Sequence, residues 1–158
     1  MTRPTAYIET TVIGHLVGRI LADPIVAGRQ AVTRQWWPNA TTKYCLFVSK
    51  VVADECAAGD AEAAKERLAV LDSLEFLATS PAVDELARKL IDDCAVPKTE
   101  PRDAVHISLA AVNGLEYLVS WNFKHIVNPT TRSAIERVCR DAGFVPPMIC
   151  TPDELMEA

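Results

Sequence analysis

Five short apolar runs, separated by stretches with helical spacing, constrain this chain more than any other feature. They are Ala6-Tyr7-Ile8-Glu9, Cys45-Leu46-Phe47-Val48, Leu74-Glu75-Phe76-Leu77, Glu116-Tyr117-Leu118-Val119-Ser120 and Met148-Ile149-Cys150. Strands that alternate with helices favour crossover connections, and so an α/β fold with a mostly parallel sheet of four to five strands. The third run is the weakest, and the last reads as an edge strand.

Local signals divide the segments between the runs. Thr10 or Thr11 can cap a helix through 12–17. Asp23-Pro24 predicts a cap and a first-turn proline for a helix over about 25–36, which Trp37-Pro38-Asn39 ends. Of the two tryptophans, one is expected in the core with the other capping it. Ser49 caps a short helix over 50–58 that Gly59 terminates, and an alanine- and charge-rich helix follows over 60–71. Ser80-Pro81 opens another through about 94, with Val83, Leu86, Leu90 and Ile91 on its apolar face. Residues 95–101, with Pro97 and Pro101, read as a loop. The helix over 102–112 is apolar almost all round, which means burial. A further helix spans about 132–141, and Thr151-Pro152-Asp153-Glu154 resembles a capping box for a terminal one. No repeat, low-complexity tract or linker interrupts the pattern, so one domain over 1–158 is expected.

Composition narrows the class. Hydrophobic residues make up 49% and charged residues 23%, which excludes a disordered chain. No run approaches the ~18 apolar residues that span a bilayer, and Met1-Thr2-Arg3-Pro4 lacks a signal-peptide layout, so no membrane association is expected. Five cysteines without a C-x-x-C pair suggest buried free thiols in a reducing compartment, and hence a cytoplasmic protein. A net charge of −5 argues against nonspecific coating of nucleic acid. It still allows a nuclease with a local basic rim, and a carboxylate cluster that holds cations.

In parallel α/β sheets ligands bind beyond the carboxyl ends of the strands. Glu9 ends the first strand. Asp103 lies in the first turn of the nearly all-apolar helix, where a carboxylate is costly unless paired or metal-bound. His106 shares its face, as a core residue or a neighbour of a ligand. Glu55 sits at the margin of the inward face formed by Val51, Val52 and Cys56, with Asp54 on another azimuth. After the fourth strand, Asn122 offers an uncharged oxygen, and Lys124 and His125 offer phosphate contacts. Each has an ordinary reading: helix-dipole partners for Glu9 and Asp103, a solvated acid for Glu55, an Asx turn for Asn122. Jointly they describe one oxygen-rich constellation suited to Mg²⁺ or Mn²⁺, cations that serve phosphodiester chemistry. No P-loop, G-x-G-x-x-G or G-x-S-x-G occurs.

Tyr7-Ile8-Glu9-Thr10-Thr11, Val52-Ala53-Asp54-Glu55, Arg102-Asp103-Ala104-Val105-His106-Ile107 and Ser120-Trp121-Asn122-Phe123-Lys124-His125-Ile126 together resemble a PIN domain, nearest to the VapC-like toxins of type II toxin–antitoxin systems. The resemblance covers essentially the whole chain. It implies a three-layer α/β/α sandwich and a Mg²⁺- or Mn²⁺-dependent endoribonuclease cleaving single-stranded RNA or tRNA by a metal-activated water. A cognate antitoxin and a homodimer are implied as partners. By position, Glu9 stands where the family has its first aspartate, Glu55 matches its helical glutamate and Asp103 its third acid. Asn122 falls where many members carry a fourth acid. Thr10 or Thr11, and Ser120, resemble the hydroxyl residues beside the first and fourth positions. Arg102, Lys124 and His125 are the candidates for gripping RNA phosphates. Asn122 removes a negative charge, which favours one metal over two and leaves open a PIN-like protein that binds RNA or a protein without cutting.

Overall fold

In the computed structural model, which describes residues 2–156, all five runs become strands: β1 (Thr5–Ile8), β2 (Cys45–Ser49), β3 (Glu75–Leu77), β4 (Tyr117–Val119) and β5 (Met148–Cys150). Between them lie α1 (Thr10–Leu16), α2 (Pro24–Lys43), α3 (Lys50–Cys56), α4 (Ala61–Leu71), α5 (Pro81–Asp92), α6 (Pro101–Val112) and α7 (Pro129–Asp141). The sheet has five strands in the order β3-β2-β1-β4-β5. Every pairing is parallel, so the fold is an α/β/α sandwich without an antiparallel edge. Tyr7 lies in register with Phe47 on one side and Leu118 on the other.

The order explains where a site can form. The chain builds outward from β1 through β2 to β3, then returns to lay β4 and β5 on the opposite flank. Connections leave the carboxyl ends of β1 and β4 in opposite directions there, and a crevice opens between them. Central strands must be apolar on both faces, and Ala6, Tyr7, Ile8, Leu118 and Val119 are fully buried.

Several helical expectations need correction. Thr10 and Thr11 lie inside α1, whose cap position is Glu9, so neither caps it. Helix α2 does not stop before Trp37-Pro38-Asn39 but runs on to Lys43 with Pro38 inside it. An interior proline costs about 3 kcal/mol. Burial of Trp36, Ala40 and Tyr44 along the same stretch outweighs it. Trp37, half-buried, meets Trp36 edge-on with ring centroids 6.2 Å apart, as core and cap. Helix α7 begins at Pro129 rather than about 132, because Asn128 caps it by accepting from the Thr130 N–H. The terminal helix is reduced to a single 3₁₀ turn over Asp153–Leu155, with Glu154 reaching back to the Thr151 N–H as a capping box requires. Residues 157–158 of that expectation lie outside the described residues. Pro101, read as loop, is the first residue of α6. Among the described residues no helix is long and apolar enough to cross a membrane.

Candidate metal centre

Glu9 follows the last residue of β1, and its N–H extends the ladder to the Val119 carbonyl at 3.0 Å. The side chain is buried, yet it does not cap α1. Instead its Oε1 accepts from Thr11 Oγ1 (2.5 Å) and Ser120 Oγ (2.6 Å). The same hydroxyls continue outward: Thr11 accepts from the Trp121 N–H and Ser120 from the Asn122 N–H. The segment after β4 is thereby pinned to the carboxyl end of β1. Trp121 Nε1 adds a buried bond to Thr33 of α2 at 2.8 Å.

Glu55 approaches from α3, half-buried. Its Oε1 accepts from Thr10 Oγ1 and lies in contact with His106 Nε2, both at 2.6 Å. His106, on α6, has no exposed surface, and its other nitrogen meets Tyr7 Oη at 2.7 Å. Burial alone would raise the Glu55 carboxyl, but the hydrogen bonds from His106 and Thr10, with the Arg102 charge, outweigh it and hold the group below the usual carboxylate range. Asp54, on the other azimuth, pairs with Lys50 on the surface.

Asp103 differs from both glutamates. It is only 7% exposed, and its Oδ2 is buried with no hydrogen-bond partner among the described residues. Burial, and then the Glu9 carboxylate beside it, push its pKa up to about 6. A buried carboxylate oxygen without a donor, next to a second acid, is the arrangement a cation would relieve. Ligand atoms of Glu9, Glu55 and His106 also lie within 4.8 Å of one another. That compact group includes His106 rather than Asp103, and it is compatible with a divalent cation.

One cleft gathers Glu9, Thr10, Thr11, Glu55, Asp103 and Asn122. Asn122 Oδ1 accepts from the His125 N–H at 3.1 Å, an Asx turn, while its side chain borders the cleft. Ser120 is fully buried and turned to Glu9, so it supports the acid rather than facing a substrate. Arg102 and Lys124 are exposed and His125 is half-buried, none lining the cleft directly. Sequence reasoning missed Tyr7, Ser49, His15 and Arg67. His15 and Arg67 also border the cleft, and Arg67 is fastened to the Cys56 and Ala58 carbonyls. No local signal marks them, since Tyr7 reads as a strand residue and Ser49 as a helix cap.

No family model and no curated protein matches the sequence. Among solved structures the chain is similar to one from the crystal structure of VapBC2 from Rickettsia felis bound to a DNA fragment from their promoter. The TM-score is 0.60 at 13% sequence identity, covering 93% of this chain and 98% of that one. At this identity the likeness establishes a shared fold, and the parallel α/β/α architecture that the PIN resemblance implies is the one found.

Proposed function

We propose that the chain is a Mg²⁺- or Mn²⁺-dependent endoribonuclease of the PIN type, the toxin of a toxin–antitoxin pair, acting in the cytoplasm on single-stranded RNA or tRNA. One observation carries the reading: three acids converge at the crevice beside β1 and β4, and Asp103 keeps a buried oxygen without a partner. The fold likeness to a chain of the VapBC2 assembly supports an antitoxin partner, and the family resemblance extends this to a homodimer.

Glu9 and Glu55 present carboxylates whose Oε1 atoms are already doubly bonded, so their orientation is set before any ligand arrives. Asp103 adds the third negative charge. A divalent cation bound there supplies Lewis acidity and positive charge to a phosphodiester. Arg102, Lys124 and His125 contact the flanking phosphates, and cleavage weakens as salt rises because each such contact releases counterions. Asp103→Asn keeps the shape and removes the charge. It should abolish Mn²⁺-dependent cleavage of single-stranded RNA while circular dichroism stays that of the wild type; full activity in this variant contradicts the assignment.

A second reading is favoured by one observation. Asn122 has no charge where a fourth acid is common in the family, and its oxygen is committed to the His125 N–H. This suits a PIN-like protein that binds RNA or a protein without cleavage. Retention of RNA with no cut product in Mn²⁺ would select it.

A further inference from the structure

A chain of buried polar contacts runs from the start of α3 through β1 and α6 back to Glu55. The Val52 N–H donates to Ser49 Oγ at 3.4 Å, Ser49 Oγ meets Tyr7 Oη at 2.8 Å, Tyr7 Oη meets His106 Nδ1 at 2.7 Å, and His106 Nε2 meets Glu55 Oε1 at 2.6 Å. Ser49, Tyr7 and His106 are at most 1% exposed, so bulk solvent does not reach them and their polar atoms depend on partners inside the fold.

Counting hydrogens gives the chain a direction. The first link has an unambiguous donor, because a backbone N–H can only donate. If Ser49 then donates to Tyr7, Tyr7 to His106 Nδ1 and His106 Nε2–H to Glu55, every hydrogen has an acceptor. In reverse, the buried Ser49 proton is left without an acceptor among the described residues, and the Nε2 lone pair of a neutral ring faces a carboxylate. An imidazolium satisfies Glu55 but still orphans the Ser49 proton, which costs as much as any unmade buried bond.

We propose that Tyr7 and His106 are positioning residues that lock the Nε2–H tautomer of His106 and so hold Glu55 Oε1 away from the cleft, leaving Oε2 as the oxygen for a cation. Thr10 donates to the same Oε1, and no hydrogen bond to Oε2 is formed by the described residues. This rests on the metal reading above, whereas the tautomer itself does not. A buried tyrosine in the middle of a central strand supplies the hydroxyl that an apolar strand residue could not.

Two measurements test it. Nitrogen-15 NMR of His106 in the metal-free wild type should give a protonated Nε2 and a bare Nδ1; an Nδ1–H tautomer or an imidazolium overturns the proposal. Calorimetric titration with Mn²⁺ follows on Tyr7→Phe, which keeps the ring and loses only the hydroxyl. Affinity should fall about tenfold or more, as it does when outer partners of metal ligands are removed. His106→Leu should lose at least as much, and His106→Gln, which keeps an N–H, should recover part. Wild-type affinity in Tyr7→Phe overturns the proposal. A wild type that binds no Mn²⁺ overturns the preceding metal reading, and the NMR result then decides the tautomer lock alone.

Discussion

The two shoulders of the cleft are built on opposite principles. On the Glu55 side one oxygen is held twice, Oε1 by Thr10 and His106, and the carboxyl lies below its ordinary range. On the Asp103 side a buried oxygen has no donor among the described residues, a like charge lies beside it, and the pKa is raised to about 6. One shoulder is arranged in advance and the other is electrostatically unfavourable until a positive charge arrives. This difference is compatible with a cation site.

Removing the unfavourable charge is the sharpest way to break the contrast. The folded pKa of Asp103 exceeds its unfolded value, so the native state binds more protons between the two, and stability is lost as pH rises from about 4 to about 6. Above that range the penalty is fully present. Metal-free Asp103→Asn should therefore be more stable than the wild type at pH 8 by about 2–3 kcal/mol, taking one pKa unit as about 1.4 kcal/mol. The gain should vanish near pH 4 in denaturant melts. Glu55 works with the opposite sign: its favourable contribution is present above the ordinary carboxylate range and lost on acidification. A smaller effect is expected at the satisfied shoulder of Glu9. Ser120→Ala removes the donor to Glu9 and the acceptor of the Asn122 N–H together. It should cost about 1–2 kcal/mol in the same melts, because buried partners are left unmet.

Much of this was legible in the sequence, and the failures have specific causes. The strands were, since central parallel strands are short apolar runs, as at 6–8 and 45–48. Asp103 was, since an acid in an apolar helix is conspicuous. The continuation of α2 past Pro38 was not, because a local rule against helical proline yields to burial of Trp36 and Ala40 on either side of it. The start of α7 was available in Asn128-Pro129, a cap followed by a first-turn proline, and was missed. The contact between His106 and Glu55 joins residues 51 apart, and that between Tyr7 and His106 spans 99. Only the β1 and α6 placements bring them together, and no local spacing encodes such pairs.

The central claim is that Glu9, Glu55 and Asp103 hold one divalent cation. Calorimetric titration of Mn²⁺ into the wild type and into Asp103→Asn tests it most directly. Saturable binding of one ion per chain is expected, weakened by at least about tenfold in the variant. Absence of binding at millimolar Mn²⁺, or equal affinity in the two proteins, would contradict it.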